Sequence, residues 1–344
     1  MIDLKNSAEV GSHPLLSAAL FALQAERAQI DLVYHSGLFL YVYKDDWFYA
    51  KRVKDDDRNI NQGGYKKRLE SVSNLPDAGL GEPSIPEKVL LDVARHSPRG
   101  LYLDIGTNYG QWVIRAGKHL ERAGLKIRTL AFEPGLAARL ALVNIALNKL
   151  GWVEFHPAAI SNITSLVPMF AMPGHTEDNK LINKPAEAIV FPTRASRLDD
   201  LLDGLKPAGE IFMKIDTQGN EPEVLDGLRK YRGAPIACLM EFSPLAVSSR
   251  LKPVVYVEQL LKDFHVIEMD RWSKPVAVVE PDSISPMIER LKGTQFPFCD
   301  FICIARPHPR AAQLLDLVLK GGTEPIASSA KPSGGMLGGI FGKS

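Results

Sequence analysis

Through the middle of the chain, short apolar runs that end on an acid or a proline alternate with amphipathic helical stretches. The runs Leu101–Ile105, Ile127–Phe132, Val153–Phe155, Ile211–Ile215 and Ile236–Phe242 are continuous enough to predict strands buried on both faces. Helices are predicted between them at Gln111–Arg122, Gly135–Leu150 and Leu198–Leu205; Leu136, Leu140, Val143 and Leu147 mark one face of the second. Strands alternating with helices predict an α/β fold built on a doubly wound, mostly parallel sheet. His265–Met269 and Phe298–Ile304 complete seven strands as an antiparallel pair at the edge. A long insertion, Phe170–Thr193, separates the third strand from the fourth and is expected to form part of a substrate wall.

Upstream the rhythm changes. Pro14–Leu32 has helical spacing, and the aromatic-rich runs Leu38–Tyr43 and Trp47–Val53, split by Lys44-Asp45-Asp46, predict a β-hairpin. A polar loop follows over 54–64, then a helix over Glu87–Arg95 that leads into the first core strand. Residues 1–95 therefore read as an α+β accessory region, with substrate mouth, lid and dimer contact as its open roles. Residues 96–306 form the core, and 307–344 a short helix (Ala311–Lys320) with a Gly/Ser-rich tail expected to stay mobile.

Composition narrows the classes. Of 344 residues, 41 are Lys or Arg and 40 Asp or Glu, so no overall basic field exists to gather nucleic acid. Cys238, Cys299 and Cys303 sit in apolar runs without metal-ligand spacing, which predicts buried thiols, no metal site and a reducing, cytoplasmic setting. Leu15–Ala25 is apolar, but Asp3 and Glu9 precede it where a secretory signal needs positive charge. It is also far short of the ~20 apolar residues of a membrane span, so no transmembrane segment is expected.

The candidate chemistry lies at strand ends. Leu101-Tyr-Leu-Asp104-Ile-Gly106-Thr-Asn108-Tyr-Gly110-Gln111 delivers a strand to a loop whose two glycines permit positive φ and close backbone approach. The next strand ends in Glu133-Pro134, an acid placed to accept two ribose hydroxyls. The glycine spacing differs from the Gly-x-Gly-x-x-Gly of a dinucleotide pyrophosphate site. That favours a nucleoside cofactor without phosphates, such as S-adenosylmethionine, over NAD, which stays open as the alternative.

The fourth strand runs into Lys214-Ile-Asp216-Thr-Gln-Gly-Asn220-Glu221, and the fifth ends in Glu241-Phe-Ser-Pro. Together with DIGTNYGQ, AFEPG followed by Asn144 and Asn148, and SRLDDLL, these blocks make the chain from about Leu101 to Arg306 resemble FkbM-type methyltransferases. The resemblance implies a Rossmann-like fold of the class I methyltransferase type and S-adenosylmethionine-dependent transfer, most often to a hydroxyl oxygen of a sugar, glycolipid or secondary metabolite. Asn220 departs from the family, which more often has a small residue there, and residues 1–95 have no counterpart in its pattern.

On that basis Asp104, Gly106, Asn108, Gly110 and Glu133 are the expected cofactor residues. Asp216, at the tip of the fourth strand, is the expected general base or acceptor-orienting group. Lys214 would pair with it or with a substrate carboxylate, and His175, in the insertion, is a second candidate base. Glu241 and Glu221 are candidate acceptor-binding residues. The expected partner is a small-molecule or carbohydrate methyl acceptor, with homo-oligomerisation open. An NAD-dependent oxidoreductase and a non-catalytic Rossmann-like binding protein are the alternatives from other classes.

Overall fold

The computed structural model describes residues 30–35, 38–43, 80–135, 137–172, 175–180, 189–248, 250–270, 273–295 and 297–321. Its strands, in chain order, are β1 (Ile30–His35), β2 (Leu38–Tyr43), β3 (Leu101–Ile105), β4 (Arg128–Phe132), β5 (Glu154–His156), β6 (Ala159–Ser161) and β7 (Ser165–Met172). They continue with β8 (His175–Lys180), β9 (Ile189–Arg197), β10 (Ile211–Ile215), β11 (Ile236–Phe242), β12 (Phe264–Met269), β13 (Pro275–Val278) and β14 (Cys299–Ala305). The helices that matter for the site are α1 (Ile85–His96), α2 (Gln111–Arg122), α3 (Ala138–Leu147), α4 (Leu198–Leu205) and α5 (Glu221–Asp226).

A central sheet has the order β13-β12-β14-β11-β10-β3-β4-β5. The chain moves from β3 outward to β4 and β5, then returns to lay β10 and β11 on the other flank of β3. The direction reverses between β3 and β10, which makes their carboxyl ends the topological switch point of a Rossmann-like sheet. Strands β3 and β10 are buried at every residue, as their largely apolar sequences require, and the burial takes in Asp104 and Lys214 as well. One face packs Tyr102, Phe212 and Leu239 against Val113 and Ile114 of α2 and Leu140 of α3. The other face packs Leu103, Met213 and Met240 against Leu198 of α4 and Val224 of α5. Each such side chain, fully buried, contributes about 1.5–3 kcal/mol.

The expected fold class holds, with an eighth strand. Pro275–Val278 pairs antiparallel with β12 at the sheet edge; it is too short and too exposed to stand out in the sequence. The insertion is also more regular than expected. It builds most of a second, four-stranded sheet of order β6-β9-β7-β8. Leu38–Tyr43 is a strand as expected, and it pairs antiparallel with Ile30–His35, a strand where the sequence pattern predicts the end of a helix. Leu38 and Leu40 are buried in the same cluster as α2 and α3. The remainder of the expected Pro14–Leu32 helix, the expected Trp47–Val53 strand, the expected 54–64 loop and the Gly/Ser-rich tail lie outside the described residues. Among the described residues no helix is long and apolar enough to cross a membrane, and the three cysteines are buried and unbridged.

The amino-terminal edge of the sheet is closed by an ionic network. Glu210, just before β10, accepts Arg310 Nε at 2.8 Å and Nη2 at 2.6 Å, while Arg310 Nη1 donates to Asp92 on α1. Burial pulls the Glu210 carboxyl upward, but Arg310, helped by His308, overcomes it and brings its pKa down to about 2.

Candidate functional site

A cleft of about 590 Å³, counted to its open mouth, lies at the carboxyl ends of β3, β4 and β10. Gly106, Asn108 and Glu133 line it on one side and Asp216, Thr217 and Asn220 on another, with Ile160 and Met169 of the second sheet completing the wall. The sequence-identified loops therefore meet where the fold places a ligand.

Gly106 has φ +79°, and a Cβ there would lie 1.8 Å from the Asp216 carbonyl oxygen. Glycine is thus required for the loops after β3 and β10 to touch each other, a different close approach from the one expected toward a ligand. The contact is tied by hydrogen bonds: Asp216 N–H donates to Ile105 O at 3.0 Å, and Lys214 Nζ donates to Gly106 O at 2.7 Å. Gly110, also at positive φ, precedes the first residue of α2.

Glu133, only 5% exposed, bridges two loops. Its Oε2 accepts Asn108 N–H at 2.8 Å and its Oε1 accepts Gly135 N–H at 2.6 Å, leaving further acceptor capacity on each oxygen. Burial pushes its pKa up to about 7, with those two amides opposing the rise. Part of its role is therefore local, since it holds the turn into α3. Asn108 lies in the left-handed region at φ 50°, and its Oδ1 is buried without a hydrogen-bond partner.

Lys214 and Asp104 are register partners on adjacent strands and share one face of the sheet. Lys214 Nζ lies 3.3 Å from Asp216 Oδ2 and 3.8 Å from Asp104 Oδ1. Burial works against the lysine's charge, but Asp216 and Asp104 outweigh it and raise its pKa. Asp104 is fully buried, and neither carboxylate oxygen has a hydrogen-bond partner. Burial raises its pKa despite the nearby ammonium. Asp216 is the accessible member of this group, its side chain 35% exposed, with Oδ1 accepting Gln218 Nε2 at 2.9 Å.

Glu241 stands at the end of β11, directly opposite Asp300 of β14. Burial, followed by repulsion from Asp216, Glu221 and Asp300, raises the Glu241 pKa well above the usual carboxylate range. Asp300 rises to about 7, first through burial and then through Asp216. Sequence reasoning missed Asp300; its one signal was an acid inside the apolar run Phe298–Ile304.

Two expected site residues sit in settings the sequence did not show. Glu221 opens α5 but turns its carboxylate back onto its own loop, accepting Thr217 N–H at 2.7 Å, Thr217 Oγ1 at 2.9 Å and Gly219 N–H at 3.0 Å. Its side chain is buried and these three bonds shape the loop, so the structure gives Glu221 a local role beside the acceptor-binding one expected of it. His175 opens strand β8 opposite Met172, so it belongs to an ordered sheet and not to a loop. Asn220, noted in the sequence only as a departure, lines the cleft. Among the described residues no group of three or more His, Cys, Asp or Glu could hold a metal ion.

Residues 104–265 match the family model of the methyltransferase FkbM domain. No curated protein matches the sequence. Among solved structures, a putative class I S-adenosylmethionine-dependent methyltransferase from Listeria monocytogenes is 9% identical, with 85% of each chain covered and a TM-score of 0.36. An O-methyltransferase from Bacillus cereus in complex with SAH is 13% identical over 75% of this chain and 97% of that one, with a TM-score of 0.33. The O-methyltransferase TomG from Streptomyces achromogenes, involved in tomaymycin synthesis and in complex with SAM, is 15% identical over 75% and 95%, also with a TM-score of 0.33.

Proposed function

We propose that this chain, whose residues 104–265 match the methyltransferase FkbM domain, is an S-adenosylmethionine-dependent methyltransferase that methylates a hydroxyl oxygen of a sugar, glycolipid or secondary metabolite. One observation carries the reading: Glu133, buried and held by two loop amides, lines a cleft that also receives Asp216 from the tip of β10, on the other side of β3.

The residues present fit the cofactor. Glu133 has acceptor capacity for both ribose hydroxyls, and the unpartnered Oδ1 of Asn108 suits the amino group of the methionine part. Asp104 supplies buried negative charge beneath the same loop, while Gly106 and Gly110 set the backbone that carries it. When bound, S-adenosylmethionine supplies an electrophilic methyl group on a sulfonium.

The chain's own task is then alignment and proton removal. Asp216 is assigned the proton of the acceptor hydroxyl, because it is the exposed carboxylate of the β10 tip and is oriented by Gln218 and Lys214. Lys214, buried and tied to Gly106 O, acts as a positioning residue that balances Asp104 and Asp216. Glu241, at the same rim, is assigned to the acceptor.

Isothermal titration with S-adenosylmethionine, S-adenosylhomocysteine and NAD tests the reading. Binding of the first two and not the third is expected. Binding of NAD alone would replace the methyltransferase reading with a dehydrogenase.

A further inference from the structure

Asn220 is 2% exposed, yet it is part of the cleft wall. Its amide nitrogen donates to the Ile160 carbonyl oxygen at 3.0 Å. A carbonyl oxygen can only accept, so this bond fixes the amide's orientation and turns Oδ1 the other way. That oxygen is buried and has no hydrogen-bond partner. A buried amide oxygen left unmatched is costly and calls for an explanation.

The surroundings specify what would match it. Ala158, Ala159, Ile160 and Met169 line the same cleft, as do Phe132 and Pro134, which flank Glu133 in the chain. None of these six side chains offers a conventional donor or acceptor, and together they suit a flat, apolar ring. The unmatched polar side-chain atom on this side is an acceptor, so it selects a ring that carries a donor at its edge. A ribose held by Glu133 brings its attached base within reach of this wall.

We propose that Asn220 is a specificity-determining residue that reads the exocyclic amine of adenine through Oδ1, so that the site discriminates adenosine from inosine at the base. The amine donates one N–H to Oδ1 while Nδ2 remains bonded to Ile160. Inosine has a carbonyl oxygen at the same ring position, which sets two acceptors against each other and leaves both unsatisfied. The inference rests on the cofactor reading above, and it concerns a residue and a selectivity which that reading does not need.

The test compares S-adenosylhomocysteine with S-inosylhomocysteine by isothermal titration of the full chain. Wild type is expected to prefer the adenosyl compound by at least about tenfold. Asn220→Ala should bring the two affinities within about twofold to threefold, mostly by weakening the adenosyl compound. A thermal melt checks that the variant is folded; Asn220→Leu, which removes both polar atoms while keeping the bulk, repeats the comparison if the alanine variant melts early. Equal affinities in wild type, or a preference that survives both substitutions, overturns the assignment. Failure of wild type to bind S-adenosylhomocysteine at all would instead overturn the cofactor reading.

Discussion

At the amino-terminal edge of the central sheet, Glu210 and Asp92 share Arg310 in a closed set of ion pairs. At the carboxyl-terminal edge, Asp104, Asp216, Glu241 and Asp300 gather around a single lysine, Lys214. The residue types are the same and the electrostatics are opposite. Pairing takes the Glu210 carboxyl down to about 2, whereas burial and mutual repulsion take Glu133 and Asp300 up to about 7. One edge is satisfied within the fold and contributes stability. The other holds acids that the fold leaves short of counter-charge, which is the state expected of a site completed by a ligand.

Substitutions can separate the two edges. The largest effect is expected from Asp216→Asn, which should lower methyl transfer from a labelled donor into carbohydrate and lipid extracts by roughly 10²–10⁴-fold. Its affinity for S-adenosylhomocysteine should change by no more than about threefold. Full transfer by this variant would remove Asp216 as the base. Arg310→Ala attacks the other edge. Leaving Glu210 and Asp92 without their partner should cost about 3 kcal/mol in urea unfolding, with cofactor affinity unchanged. A loss of affinity of similar size would mean that the edges are not independent.

The closed edge was the less legible of the two in the sequence. Arg310 is distant from Glu210 along the chain, and no motif links them. The site edge could be read because each acid follows an apolar run directly. Leu101–Ile105, Gln111–Arg122, Leu198–Leu205, Ile211–Ile215 and Ile236–Phe242 have the bounds their patterns predicted. The strands of the second sheet were not legible for a physical reason: Pro168 lies within β7 directly opposite Pro192 within β9, and prolines inside a run argue against a strand. The strand Ile30–His35 was not legible because Ile30-Asp-Leu-Val-Tyr fits the end of a helical pattern as well as a strand. Asn220 and Glu221 look equivalent as polar residues at a helix start, and only the fold separates the one facing the cleft from the one bonded to its own loop.

A moderate effect is expected for Glu133→Ala. Losing the proposed ribose acceptor should weaken S-adenosylhomocysteine by about 10–100-fold without unfolding the chain. Retained affinity would refute the role.

The smallest effects concern pH. Glu133, Glu221 and Asp300 have folded-state pKa values raised to about 7, so the folded chain keeps protons that the unfolded chain has already lost. Stability should therefore fall as pH rises from about 5 to 7. The depressed Glu210 has the opposite sign: its contribution is present above its ordinary pKa of 4.5 and is lost as pH falls toward about 2. Urea midpoints should peak near pH 5 (about the crossover of these two terms). Ribose hydroxyls favour the ionised form of Glu133, so S-adenosylhomocysteine should bind more tightly as pH rises toward about 7, by up to about tenfold per unit, and level off above it. Glu133→Gln should flatten that dependence, and an unchanged slope would assign the proton to another acid.

The contact between Gly106 and Asp216 has a mechanical consequence. With no side chain between them and Lys214 fastening Gly106 from the strand of Asp216, neither loop can shift without carrying the other. Settling of a nucleoside into the first loop would thus be transmitted as a change in the aim of the carboxylate, and any looseness of the carboxylate would be felt as poorer grip on the nucleoside. Under the proposed roles, donor capture and readiness for transfer would be two aspects of a single rigid joint.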